Sequence, residues 1–210
     1  MSLSMVERVV RAMAEAAVRN EAYFGELDSV VGDGDFGYSL ARGFEKVIEE
    51  FDSIDRSDPS TFLRKTGMIV MSRCGGTSGP LWGTGFVRAA GAVAGKQSVD
   101  CEDAVKMLRA AFDGIAQRGG AALGEKTLLD ALAPLIDCFA VELKRSSPLE
   151  ALARAAEAAA AASEATAALQ ARRGRASYSG ERSIGSPDAG AVAVAVIARS
   201  VSQACGSSAA

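Results

Sequence analysis

The segment Ala151–Ala171 constrains the fold most strongly, because 13 of its 21 residues are alanine. Alanine has the highest helix propensity of all residues, and its small side chain lets neighbouring helices approach closely. Pro148 precedes the segment, and proline is favoured at the first position of a helix. The sequence therefore predicts a long helix that starts at Pro148 and packs closely against its neighbours.

Apolar residues elsewhere in the chain also recur at helical spacing. The predicted helices lie in 6–18, Tyr38–Phe51, from Pro59 onward, Leu81–Val93, after Ser98 or Asp100, and from about Thr127 to Leu143. In Ala189–Val201 valine alternates with alanine as in a strand, but no convincing partner strand exists, so we predict a buried helix there. The pattern indicates about eight helices in one all-α domain over residues 1–210.

Charge and composition exclude several classes of function. The net charge of -3 provides no global attraction to nucleic acid or to an anionic membrane. Charged residues such as Glu7 and Arg8 interrupt the N-terminal apolar run, so no signal peptide is predicted. No run approaches the ~18 apolar residues that span a bilayer. We therefore expect a cytoplasmic protein that contacts neither membrane nor nucleic acid.

The chain contains no histidine. This absence excludes histidine-dependent triads and phosphohistidine chemistry on this chain. The four cysteines form no C-x-x-C pair, so a structural zinc site is not expected. What remains is carboxylate and metal chemistry, which suits phosphoryl transfer.

The segment Asn20–Gly37 is predicted to be a glycine-rich loop that carries Asp28, Asp33 and Asp35. Its glycines match the dinucleotide pattern G-x-G-x-x-G, but two intervening aspartates would repel a pyrophosphate and no βαβ context exists. The spacing also fails as a calcium EF-hand, because positions five and twelve lack oxygen ligands. Three carboxylates within eight residues can instead converge on magnesium and leave coordination places for phosphate oxygens.

Three further loops could bind an anion at the start of a helix. Gly75–Pro80 offers free N–H groups and two hydroxyls. Gly119–Thr127 resembles a Walker A loop but is one residue too long, with Glu125 in place of the lysine, and it fails as a P-loop. Gly174–Gly190 carries two arginines and several hydroxyls that could close over phosphate or sugar oxygens.

Together these loops resemble the nucleotide-binding L subunit of bacterial dihydroxyacetone kinase, which also occurs as the C-terminal domain of one-chain kinases. The resemblance extends from Leu27 to Gly190. The matching motifs are L-D-x-x-x-G-D-G-D at Leu27–Asp35, G-G-T-S-G-P-L-W-G-T at Gly75–Thr84, G-E-K-T-L-L-D at Gly124–Asp130 and G-R-A-S-Y-S-G-E-R-S at Gly174–Ser183. Four long motifs in the family's order make the resemblance highly specific.

The resemblance implies an eight-helix antiparallel up-and-down barrel that binds ADP or ATP at one end through two magnesium ions. It implies that Asp28, Asp33 and Asp35 are the metal ligands and that no other catalytic group lies on this chain. The residues implied to surround the nucleotide are Phe36, Gly37, Tyr38, Ser39, Thr77, Ser78, Gly119, Leu128, Arg175, Asp188, Ala189 and Gly190.

Two positions depart from the family's pattern. Phe36–Ser39 stands where the family has H-G-x-N, and Asp188-Ala189-Gly190 stands where D-P-G is common. The three aspartates are retained, so nucleotide binding is expected.

In this family a histidine of a separate K subunit or domain holds the ketose, so the resemblance implies a kinase subunit that needs such a partner. One alternative is a subunit with permanently bound ADP that a phosphotransferase-system protein rephosphorylates. Another is a non-catalytic nucleotide-binding regulatory module.

Overall fold

The computed structural model describes residues 2–207, which form nine α-helices and no β-strand. In chain order the helices are α1 Leu3–Arg19, α2 Glu21–Ser29, α3 Phe36–Glu50, α4 Pro59–Arg73, α5 Ser78–Ala92, α6 Cys101–Gly119, α7 Leu129–Glu142, α8 Pro148–Ala165 and α9 Ala189–Gly206. Short 3-10 helices lie at Phe51–Ser53, Thr166–Ala168 and Arg175–Ser183.

Eight of these helices form a closed ring. From α3 to α9 each helix packs against the next one in the chain, and α9 packs against α1, which in turn packs against α3. Helices that are joined by short connections and lie side by side run in opposite directions. The remaining helix, α2, packs on α3 and α9 at the end of the ring where α3 begins.

Local sequence signals explain where several helices begin. Asp58, Asp100, Ser147 and Asp188 each accept a hydrogen bond from a backbone N–H in the first turn of the helix that follows. These bonds satisfy donors that the helix itself leaves free. Ala151, Ala155 and Ala159 of α8 are completely buried, as expected for a helix that its neighbours approach closely.

The all-α fold class is confirmed, but the predicted count of eight helices is wrong within the described residues. The extra helix is α2, which occupies much of the segment Asn20–Gly37 that we predicted to be a loop. In α2 only Phe24 is fully buried, so the apolar periodicity that reveals a helix in sequence is nearly absent. Asp28 consequently lies near the end of a helix, whereas Asp33 and Asp35 lie in the short loop after it.

The C-terminal segment is a helix, as predicted, and not a strand. By length and composition alone, α9 could also cross a membrane. In the structure, however, its valines and Ile197 are mostly buried, and the helix packs against α1, α7 and α8 within the ring. Its apolar character is therefore explained by core packing.

Candidate metal and nucleotide site

The three aspartates predicted as metal ligands lie together at one end of the ring. One carboxylate oxygen from each of Asp28, Asp33 and Asp35 lies within 4.8 Å of the other two. Asp28 is half-buried, while Asp33 and Asp35 are exposed. Three hard oxygen donors this close together fit a divalent cation such as Mg²⁺, because their negative charges would otherwise repel one another.

The backbone of the loop is shaped around the side chain of Asp28. The N–H groups of Gly34 and Phe36 donate hydrogen bonds to its Oδ2 at 2.9 and 3.4 Å. Gly34 has a φ of 77°, which an L side chain rarely adopts. Gly37 has no room for a side chain, because the carbonyl oxygen of Glu21 lies directly against it. The glycines of this motif thus let the loop fold back tightly onto α2.

Asp35 is the residue before α3, a position where an aspartate usually caps the helix. Its side chain makes no capping hydrogen bond, unlike the side chains of Asp58, Asp100 and Asp188 at the corresponding positions of other helices. The Asp35 carboxylate is therefore not engaged by the helix N–H groups and can face a cation instead.

Arg175 supplies the positive charge that this cluster has in the structure. Its Nη1 forms ion pairs with the carboxylates of Asp33 and Asp35, the second at 3.2 Å. A second contact from the same segment reaches the loop, because the Ser179 hydroxyl donates to the carbonyl oxygen of Val31 at 3.1 Å. Arg175 is thus in direct contact with Asp33 and Asp35, although the sequence places them on separate loops.

The second predicted loop also meets the start of α3. A side chain on Gly75 would contact the Ser39 hydroxyl, so the loop before α5 lies against α3. Thr77 precedes α5, and Ser78 is its first residue. The Thr77 side chain caps no N–H group, so the first turn of α5 keeps donors that could bind an anion.

Leu128, Ala189 and Gly190 lie where the third loop meets α9. Gly190 packs against Leu128, with a Cβ on the glycine only 3.3 Å from the leucine Cβ. Gly119 is the last residue of α6 and lies against Leu81 of α5. Ala189 is the first residue of α9 and has a backbone N–H that the family's usual proline would lack.

Asp188 is held firmly at the entry to α9. Its carboxylate accepts a hydrogen bond from Ala191 N–H, and its own N–H donates to the Thr166 hydroxyl, both at 2.8 Å. Burial raises the pKa of Asp188 to about 7. The hydrogen bond from Ala191 and the charge of Lys126 oppose this rise, whereas the negative charges of Asp130 and Asp28 add to it. Asp188 thus joins the 3-10 turn that follows α8 to the first turn of α9.

The side chains of Phe36 and Ser39 have different surroundings. The ring of Phe36 packs against that of Phe24, with centroids 6.0 Å apart, and so helps to fasten α3 to α2. Ser39 is buried against the loop at Gly75. Tyr38 between them is 58% exposed, and the Arg42 guanidinium lies over its ring.

Sequence reasoning assigned no role to Lys126 or Asp130, although both lie within the quoted motif G-E-K-T-L-L-D. Asp130 accepts hydrogen bonds from the N–H groups of Gly124 and Thr127 at 2.6 and 2.8 Å, which shapes the turn before α7. Lys126 is buried and bonds to two distant carbonyl oxygens. A lysine between a glycine-rich turn and a helix gives no sign in sequence that it points inward.

Two relatives of known function match most of this chain. The ADP-binding subunit DhaL of the PEP-dependent dihydroxyacetone kinase of Escherichia coli is 41% identical over 174 residues, which cover 82% of both chains. The corresponding subunit of a PTS-dependent dihydroxyacetone kinase from Lactococcus lactis is 33% identical over 176 residues, which cover 84% of both chains.

Among solved structures, the dihydroxyacetone kinase of C. freundii in complex with AMP-PNP and Mg²⁺ matches with a TM-score of 0.74 and 23% sequence identity. The match covers 95% of this chain and 34% of that kinase, so the chain corresponds to about a third of its length and shares the fold of that part. The DAK2 domain matches residues 30–203. The chain therefore belongs to the DAK2 domain family.

Proposed function

We propose that this chain is the ADP- or ATP-binding subunit of a two-component dihydroxyacetone-type kinase. The single observation that carries the proposal is the convergence of Asp28, Asp33 and Asp35 at one end of the helical ring. Relatives that match it over most of both chains are ADP-binding subunits of dihydroxyacetone kinases, which supports the same activity. We also propose that residues 1–210 form one domain and that the protein is cytoplasmic.

The three aspartates would hold two magnesium ions, which would neutralise the charge of the nucleotide phosphates when bound. Around this centre the chain offers groups that bind anions in two ways. The first turn of α5, at Ser78, presents free N–H groups. Arg175 reaches the acidic cluster from the segment between α8 and α9, and its guanidinium can bind two phosphate oxygens at once.

The acceptor is proposed to be a short-chain ketose, such as dihydroxyacetone or a related triose or tetrose, that a separate K-type subunit holds. This chain contains no histidine, which is the residue that holds the sugar in the resembling family. The acidic cluster is exposed, so a partner that carries the sugar can approach it. The chain thus contributes the nucleotide half of the reaction.

A second candidate concerns the phosphoryl donor. The two subunits described above, which match this chain over most of its length, belong to kinases named PEP- or PTS-dependent. In this version ADP stays bound to the chain, and a phosphotransferase-system protein rephosphorylates it. Ready exchange of ATP from solution favours the first version, and slow exchange of bound ADP favours the second.

A non-catalytic nucleotide-binding module is the weakest alternative. A module without catalysis has little need for three converging carboxylates, and these are retained here.

The experiment has two stages. Titration calorimetry with the purified chain should show that ADP binds only when Mg²⁺ is present. The chain alone should not phosphorylate dihydroxyacetone, and a K-type subunit should restore activity with either ATP or a PEP-driven phosphotransferase system. Magnesium-independent ADP binding would contradict the metal site, and ketose phosphorylation by the chain alone would contradict the need for a partner.

A further inference from the structure

One dipeptide, Glu125-Lys126, contacts both ends of the segment that carries Arg175. We call residues 169–188, between α8 with its 3-10 extension and α9, the strap. Lys126 has a φ of 61°, and among the described residues it is the one non-glycine with a positive φ. A lysine in this conformation costs free energy that a glycine would not. The contacts of the Lys126 side chain must offset this cost.

The Lys126 side chain binds the C-terminal end of the strap. Although lysine is usually exposed, this residue is 2% exposed. Its Nζ donates hydrogen bonds to the carbonyl oxygens of Thr166 at 2.8 Å and Ser186 at 2.5 Å. Burial lowers the pKa of Lys126, and Asp188 opposes that effect. The ammonium group therefore joins the end of α8 to the approach to α9.

Glu125 binds the N-terminal end of the same strap. Its carbonyl oxygen accepts a hydrogen bond from Arg172 N–H at 3.1 Å. Its carboxylate accepts two hydrogen bonds from the Arg173 guanidinium, at 2.6 and 3.0 Å, and one from Ala122 N–H at 2.9 Å. Paired bonds of this kind fix orientation as well as distance.

The middle of the strap reaches the acidic cluster. Arg175 lies two residues beyond Arg173 and pairs with Asp33 and Asp35, and Ser179 contacts the carbonyl of Val31. Both ends of the strap are thus fixed to the turn before α7, and its centre lies over the predicted metal ligands.

From these contacts we propose that Glu125 and Lys126 are positioning residues that hold the strap so that Arg175 meets the nucleotide phosphates. The inference rests on the proposed function, since it assigns Arg175 to a bound nucleotide. Neither residue needs to touch that nucleotide. The dipeptide acts through the strap, and a lysine that served stability alone would be independent of Arg175.

A double-mutant cycle between Lys126 and Arg175 separates these two roles. Lys126→Met removes the two buried hydrogen bonds, and we expect it to weaken Mg–ADP binding about tenfold in titration calorimetry. Arg175→Ala should weaken binding by a similar factor. If Lys126 acts through Arg175, the double variant should bind about as weakly as the weaker single variant. Effects that multiply to about a hundredfold would overturn the proposal, as would unchanged binding by Lys126→Met.

Two further variants keep the test decisive if Lys126→Met folds poorly. Lys126→Gly suits the positive φ but removes the ammonium group, so it should lose affinity although the backbone strain is relieved. Glu125→Gln keeps the shape but loses the charge that pairs with Arg173. The exposed Lys65, on the outer surface of α4, provides the matched control, and Lys65→Met should bind Mg–ADP like the wild type.

Hydrogen exchange of the ligand-free protein tests, without any nucleotide, whether Glu125 and Lys126 hold the strap. Lys126→Met and Lys126→Gly should accelerate exchange in the strap, and Lys65→Met should not. Unchanged exchange in the strap would overturn the proposal. If the wild-type chain does not bind Mg–ADP, the proposed function and the assignment of Arg175 to a nucleotide fail. Accelerated exchange in the Lys126 variants would still show that Lys126 holds the strap.

Discussion

Two acidic clusters in this molecule differ in how completely their charges are satisfied. Asp103, near the start of α6, accepts two hydrogen bonds from the Lys96 ammonium at 2.5 and 2.6 Å, and its side chain is only 3% exposed. It also completes a capping box with Asp100. The predicted metal ligands Asp33 and Asp35 are 42% and 50% exposed and share a single arginine.

The difference separates an acid that stabilises the fold from acids that can bind a ligand. The partners of Asp103 are nearby in the chain, fill its oxygens and leave no place for a cation. The Asp28–Asp35 cluster has a partner from the distant strap, and under the proposed function magnesium would take the place of that partner. Acidic composition alone does not distinguish the two clusters, but the number and origin of their partners does.

The largest expected effect is on nucleotide binding by Asp33→Ala. Substituting a residue that only supports a metal ligand commonly lowers metal affinity about ten- to a hundredfold. Removal of a ligand itself should therefore weaken Mg–ADP binding by about 100-fold or more. Helical content by circular dichroism should stay unchanged. The control Asp52→Ala removes the same charge from a side chain that is 97% exposed. Undiminished binding by Asp33→Ala would refute the metal assignment.

A smaller effect is expected for Arg175→Ala on the binding of Mg²⁺ without nucleotide. If Arg175 is an exchangeable counter-ion, its removal leaves two carboxylates without their cation and should strengthen binding of Mg²⁺ severalfold. The melting temperature should hardly change, because surface ion pairs contribute little to stability. A clearly lower melting temperature with unchanged Mg²⁺ affinity would place this cluster in the same class as Asp103.

The converse change, Asp103→Asn, should lower the melting temperature by several degrees and leave Mg–ADP binding intact. The substitution removes the charge that pairs with Lys96 and replaces one of the two oxygens that accept its hydrogen bonds by an amide NH2 donor. Differential scanning calorimetry and nucleotide titration on the same preparation check both halves. A loss of nucleotide affinity would show that the two clusters are not independent.

The smallest expected effect is a dependence of stability on acid pH. The Lys96 ammonium holds the pKa of Asp103 below its usual range. A carboxyl group whose pKa is lower in the folded state adds stability above its unfolded pKa of about 3.9 and loses it as pH falls through the folded pKa. Acidification below about pH 4 should therefore lower the melting temperature of the wild type more than that of Asp103→Asn. Parallel curves for the two proteins would contradict this assignment.

Much of the fold follows from local chemistry. Pro148 and the alanine run specified α8, and the helix predicted from valine and alanine at Ala189 is α9, because both signals depend on residues close in sequence. The helix α2 escaped prediction, since it buries one large side chain, Phe24, and has a glycine in its middle. The resemblance to the dihydroxyacetone kinase subunit is confirmed by the comparisons.

The site was only partly accessible from sequence. The spacing of Asp28, Asp33 and Asp35 predicted a metal cluster, and the structure brings these side chains together, although their role remains a prediction. The function of Lys126 could not be inferred, because its acceptors Thr166 and Ser186 lie 40 and 60 residues away. Contacts of that range depend on how the ring closes, which no local pattern encodes.

Arg175 lies 140 residues from Asp35 in the chain, so their contact has a consequence for folding. Closing a loop of that length is an entropic cost that only the assembled ring can offset. We therefore expect the acidic cluster to acquire its arginine late, after the helices between them have packed. Because Mg–ADP would bind the complete ring and not its fragments, saturating nucleotide should raise the free energy of unfolding of the whole domain at once. Nucleotide binding by newly refolded chains would then report the moment at which the ring closes.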